Sequence, residues 1–193
     1  LPCICDFKTA RKEAYCMKYN SQTLEQEAVL QTARQICAAV RTAPKTRGID
    51  HLETCVLTGE DLETLASQME TLGRDYDYAF FLRDAKNVRA SQAVVLVGTG
   101  YYQRGLNEGC ALCRHTNCAE CAAQKGVCVY DPIDLGIAIG SAVGMAADCR
   151  VDSRVMFSVG KAAASLGLPS EKCQMVVGIP LSVSGKSPYF DRK

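Results

Sequence analysis

DPIDLGIAIGSAVGMAADCRVDSRVMFSVGKAAASLGLPSEKCQMVVGI, residues 131–179, reads as two helices and a strand in close succession. Asp131 suits an N-cap and Pro132 a first helical position, which predicts a helix from there to about Cys149. A second helix is expected over about Ser153 to Leu166, with Gly167 as its stop ahead of Pro169. Gln174 to Ile179 is a strand by its apolar run. Gly136, Gly140 and Gly144 recur at four-residue spacing, with Ala138, Ala142 and Ala146 nearby. Small side chains admit a close neighbour, so this helix is expected to be buried and tightly packed, with a dimer interface as a further role for it.

Upstream, Thr23-Leu24-Glu25-Gln26 has capping-box form, and apolar residues at helical spacing continue to about Val40. Pro44 biases Ala43 away from helix. A basic loop, Arg41 to Asp50, leads to a strand over Leu52 to Leu57. Helices over Asp61 to Leu72 and Tyr76 to Arg89 precede a buried strand, Ala93 to Val97. Helices grouped around a few non-consecutive strands predict an α+β fold. The 193 residues suit one domain, 17–193, with a cysteine-rich loop at 100–130. Residues 1–16 lack periodicity and read as an N-terminal extension or tag remnant.

Net charge is +1, which argues against a protein held mainly by nucleic-acid phosphates or anionic lipid. No membrane span is expected, because the longest weakly polar run, Pro132 to Ala147, is too short and contains Asp134. Of 12 cysteines, five fall between Cys110 and Cys128. That clustering, with no basic-then-apolar leader pattern, predicts a reducing cytoplasm and a metal site rather than a disulfide scaffold. Only His51 and His115 are present, so histidine-dependent hydrolysis is not expected.

The cluster spacing is C-x2-C-x4-C-x2-C-x6-C, at Cys110, Cys113, Cys118, Cys121 and Cys128. Thiolates on a tight loop repel one another unless a cation takes their charge, and four ligands suffice. Cys110, Cys113, Cys118 and Cys128 form the preferred set, for a [4Fe-4S] cluster. Cys113, Cys118, Cys121 and Cys128 form a rival set that opens with plant-type [2Fe-2S] spacing. Paired C-x2-C knuckles holding zinc are a third reading.

The run DLGIAIGSAVGMAADCRVDSRVMFSVGKAAASLGL, the later VVGIPLSVSGKSPYFDR, and RTAPKTRGIDHL with VLTGEDL resemble an uncharacterised prokaryotic family that contains a ferredoxin domain. That resemblance places Cys110, Cys113, Cys118 and Cys128 on the family's cysteine group, with Cys121 as an addition. A broader resemblance is to FMN-dependent nitroreductases. It rests on Thr42-Ala43-Pro44-Lys45, Asp134-Leu135-Gly136-Ile137-Ala138, Leu166 to Pro169, Gly178-Ile179-Pro180, and the basic tail with Lys186 and Arg192. The position after Pro44 is lysine rather than serine, and no double arginine precedes the first helix.

The nitroreductase likeness implies a sheet wrapped by helices, a homodimer, and flavin at its interface. Arg41, Lys45 and Arg47, together with Ser182, Gly185, Lys186 and Arg192, would hold the FMN phosphate. The expected function is redox: an iron–sulfur protein that passes electrons to or from a flavin or a redox partner protein. A non-enzymatic metal-binding interaction protein is the alternative.

Overall fold

The computed structural model describes residues 18–190. Residues 1–16, read above as an extension, and Arg192 lie outside the described residues. The chain runs α1 (Ser21–Thr42), β1 (Glu53–Leu57), α2 (Glu60–Asp75), α3 (Ala79–Arg89), β2 (Ala93–Thr99), α4 (Cys118–Ala123), α5 (Tyr130–Asp148), β3 (Asp152–Ser153), α6 (Phe157–Ser165) and β4 (Met175–Ser182). The strands form one sheet in the order β1-β2-β4-β3, antiparallel throughout. This is the α+β architecture expected.

β2 explains the layering. All seven of its residues are buried, so both faces of the sheet must be covered. Val94 and Leu96 pack with the helices α2, α3 and α6 on one side. Ala93, Val95 and Val97 pack with α1 and α5 on the other. The buried stripes of α1 (Val29, Ala33, Ile36, Val40) and α2 (Leu62, Leu65, Ala66, Met69) follow helical spacing.

Element ends depart from the sequence expectation for identifiable reasons. α1 starts earlier than Thr23, because Asn20 Oδ1 accepts from the Thr23 amide at 2.8 Å and so caps it. α6 starts at Phe157 rather than near Ser153, because Asp152 and Ser153 pair with Ser182 and Leu181 of β4. Gly167 ends α6 as expected, with φ of 72°. Asp131 does not cap α5: the helix already begins at Tyr130, and the Asp131 side chain turns inward.

The small-residue reading of α5 divides between two faces. Ala138, Ala142 and Ala146 are fully buried, and α5 packs closely along α1. Gly136, Gly140 and Gly144 face outward, and a Cβ at any of them would meet nothing within 4 Å. Tight packing of the glycine face within this chain is therefore overturned.

The close helix–sheet approach lies elsewhere, between α6 and β4. A Cβ on Gly160 would sit 1.9 Å from the Val176 carbonyl oxygen, and one on Gly178 would sit 2.0 Å from Val159 Cγ1. Gly160→Ala is expected to destabilise the protein by about 3 kcal/mol, lowering Tm by roughly 6–12 °C in a melt followed by circular dichroism. Gly185→Ala is the control. A Cβ there meets nothing within 4 Å, and Tm should move by no more than about 2 °C.

Candidate metal centre

Beyond β2 the chain makes a loop whose two ends are fixed by regular structure. It leaves the sheet at Thr99 and re-enters helix at Tyr130. Four non-glycine residues within it have positive φ: Asn107, Ala111, Arg114 and Lys125. Each such conformation costs roughly 1–2 kcal/mol outside glycine, so local contacts must hold the path. Asn117 Oδ1 accepts from the Glu120 amide at 3.0 Å and caps α4. The Glu120 carboxylate accepts from the Thr116 amide at 2.6 Å. Gly126 allows the loop to close, since a Cβ there would lie 2.5 Å from His115 Nε2 and 3.1 Å from Cys121 Sγ.

Cys110, Cys113, Cys118 and Cys128 all line one small cavity, beside Arg104 and His115. Cys121 is not on its wall. It sits 1 % exposed beside Cys113 and Gln103, and burial pushes its thiol pKa up. Among the described residues, no three His, Cys, Asp or Glu side chains already converge on a metal-ligating point.

The cavity rests on a buried ionic node. Arg104 is 2 % exposed, and its Nη2 lies 3.0 Å from both Asp131 Oδ1 and Asp134 Oδ2. The two carboxylates are also held from elsewhere. Asp131 Oδ2 accepts from the Tyr102 amide at 2.8 Å. Asp134 accepts from the Thr46 hydroxyl at 2.8 Å and the Thr46 amide at 3.1 Å. Arg104 Nη1 donates to His51 Nδ1, and the His51 ring lies against Tyr102 with centroids 4.0 Å apart. Burial first, and then Arg104, push the His51 imidazole pKa below its ordinary value. Burial pushes the Asp131 carboxyl up against the pull of the Tyr102 amide and Arg104. The node thus joins the cysteine loop, the start of α5 and the turn at Thr46.

The basic residues are less free than their spacing suggested. Lys45 Nζ donates to the carbonyls of Val40, Arg41 and Ala43 at 2.7–3.0 Å, which satisfies the end of α1. Its side chain is 5 % exposed, so it braces the loop instead of facing a ligand. Arg41 pairs with Asp50 at 2.6 Å but remains 58 % exposed. Arg47 Nη1 donates to the Arg104 carbonyl at 2.7 Å. Ser182 is buried at the end of β4 against Tyr189. Gly185 and Lys186 are exposed on the turn that follows.

These two basic segments lie at opposite ends of the sheet. Arg41 bonds Leu52, next to Glu53, whose partner on β2 is Gly98. The tail leaves β4 next to Leu181, whose partner is Ala93. Five residues of strand separate those levels, or roughly 17 Å.

Residues 124–192 match the family described as an uncharacterised protein containing a ferredoxin domain. A relative from Archaeoglobus fulgidus, itself described only as an uncharacterised protein, is 41% identical over 187 residues, covering 91% of this chain and 98% of the relative. The chain belongs to this ferredoxin-domain family. The matched segment includes Cys128, α5, α6 and β4, but begins after Cys121.

This family member has a nitroreductase-like fold. A protein from Desulfovibrio desulfuricans described as a nitroreductase, solved in complex with FMN, shares 13% identity at a TM-score of 0.54, over 84% of this chain and 78% of that one. A BluB-like flavoprotein from Clostridium difficile shares 18% identity at 0.51, over 86% and 84%. The NADPH:FMN oxidoreductase of Vibrio harveyi, solved with NAD+, shares 13% at 0.52, over 82% and 61%.

Arg104, Asp131, Asp134 and His51 gave little signal in the sequence as a group, being scattered over three segments. The one local signal is an arginine five residues beyond a buried strand, close to two tyrosines. Asp134→Ala should leave Arg104 undercompensated and cost about 3–5 kcal/mol, measured by urea unfolding.

Proposed function

We propose that this protein is an iron–sulfur redox protein whose cysteine loop, 100–130, holds one [4Fe-4S] cluster through Cys110, Cys113, Cys118 and Cys128. The observation that carries this reading is the cavity itself: four of the five clustered cysteines line it and Cys121 does not. Four soft thiolates suit iron–sulfur ligation, and a loop anchored at both ends and braced by the Asn117 cap presents four of them to one cavity. Such a group supplies one-electron transfer when bound, with no acid or base required of a side chain. The chain's own contribution is to hold four thiolates and to keep Cys128 rigid, three residues before the carboxylate that Arg104 fixes.

Purification without oxygen, followed by iron, sulfide and zinc analysis, tests the reading. About four iron and four sulfide per chain are expected. Serine at Cys110, Cys113, Cys118 or Cys128 should lower the iron content sharply, and Cys121→Ser should retain it. Two iron with loss at Cys121 would favour the rival set, and one zinc without sulfide would leave a structural metal loop.

We further propose that FMN binds only to a homodimer. The nitroreductase-like fold and the flavoproteins among its neighbours support flavin. The separation of the two basic segments means that one chain cannot close both on a single phosphate. Arg41 and Arg47 of one copy and Lys186 and Arg192 of another would supply the cations, with Lys45 bracing the loop behind them. The surface available for pairing is the outer face of α5. It exposes Ile133, Ile137 and three glycines, and carries no charge between Asp134 and Asp148. A helix apolar on all sides is normally covered, and a glycine stripe admits its own copy closely.

Ile137→Asp with Gly140→Asp should convert the dimer to a folded monomer by light scattering. The same change should abolish FMN fluorescence quenching at ~100 μM, where even weak sites are detected. A monomer that binds FMN as well as the parent would contradict the two-copy site.

A further inference from the structure

Arg104 carries more hydrogen-bonding capacity than the node uses. Its Nη atoms hydrogen-bond Asp134 and His51, and Nη2 ion-pairs at 3.0 Å with Asp131, whose Oδ1 makes no hydrogen bond; its Nε is likewise buried with no hydrogen-bond partner among the described residues. A buried N–H without an acceptor costs roughly 1–3 kcal/mol, and a charged donor more. The same side chain lines the cavity of Cys110, Cys113, Cys118 and Cys128. An acceptor that arrives with a group bound in that cavity would satisfy the unpaired Nε–H, which the Asp131 carboxylate leaves without a hydrogen bond.

We propose that Arg104 Nε–H donates a hydrogen bond to a sulfur of the group held in the cysteine cavity, so that Arg104 is a positioning residue for that centre. This inference rests on the cluster reading above. Arg104 is well suited to the role. Asp131 and Asp134 fix its guanidinium plane from α5, so the fork cannot swing away, and 2 % exposure keeps water from competing. Anionic sulfur is a good acceptor for such a donor. Hydrogen bonds to cluster sulfurs favour the reduced, more negative state, so Arg104 should raise the reduction potential. The Arg104 carbonyl also holds Arg47 of the basic loop at 2.7 Å, so the same residue places the cysteine centre next to the proposed FMN-phosphate loop.

The test uses the whole protein purified anaerobically after growth on guanidino-15N arginine, with iron and sulfide measured first. Pulsed electron paramagnetic resonance of the reduced protein should show a 15N hyperfine coupling. The coupling should persist in Arg114→Lys, the other arginine of the loop, and vanish in Arg104→Lys, which should also shift the midpoint potential downward. Should Arg104→Lys fail to fold, Arg47→Lys and Arg114→Lys decide together, because the coupling must persist undiminished in both. Full iron and sulfide without 15N coupling overturns the role of Arg104 and leaves the cluster standing. Absence of iron and sulfide overturns the cluster reading and this inference with it.

Discussion

Arg104 between Asp131 and Asp134 is the contact on which the rest of the site depends. Placing three charges where almost no water reaches carries a large desolvation penalty, offset only when geometry and extra hydrogen bonds are good. Here each carboxylate is also tied to backbone, Asp131 to Tyr102 and Asp134 to Thr46. Three segments far apart in sequence therefore meet at one point. The cysteine loop begins at that point and returns to it three residues after Cys128. A 30-residue excursion with little regular structure would otherwise wander.

The node also relates the two halves of the proposed chemistry. Thr46 and Arg47 belong to the basic loop, and both bond to partners in or beside the node. Arg104 itself also lines the cysteine cavity. A redox centre and a flavin phosphate loop placed through one buried arginine would be close neighbours, as electron exchange requires. The opposite basic segment, beyond β4, leaves the far end of the sheet, and in the proposed FMN site it would reach that loop from a second copy. The exposed, uncharged face of α5 is the surface proposed for that second copy.

Much of the fold was legible because periodicity records burial. The all-buried β2 and the stripes of α1 and α2 could be read directly from apolar spacing. Spacing left a rival set with Cys121 and a zinc reading open, and it was family likeness that favoured Cys110, Cys113, Cys118 and Cys128, the four that line the cavity. What stayed hidden was tertiary. Asp131 ahead of Pro132 looked like a cap, but a buried arginine from another segment outcompeted the helix terminus for its carboxylate. Lys45 looked like a phosphate ligand because charge in a loop carries no record of which carbonyls lie behind it. Gly136, Gly140 and Gly144 marked a face without saying whether it turned inward. β3 is two residues long and too short for any pattern.

Diffraction at the iron absorption edge from crystals grown without oxygen tests the central claim most directly. Anomalous density is expected for one four-iron cluster in the cavity, bonded to Sγ of Cys110, Cys113, Cys118 and Cys128, with Cys121 Sγ apart from it. A single zinc atom in the cavity, or a cluster that takes Cys121 in place of one of the four, would contradict it.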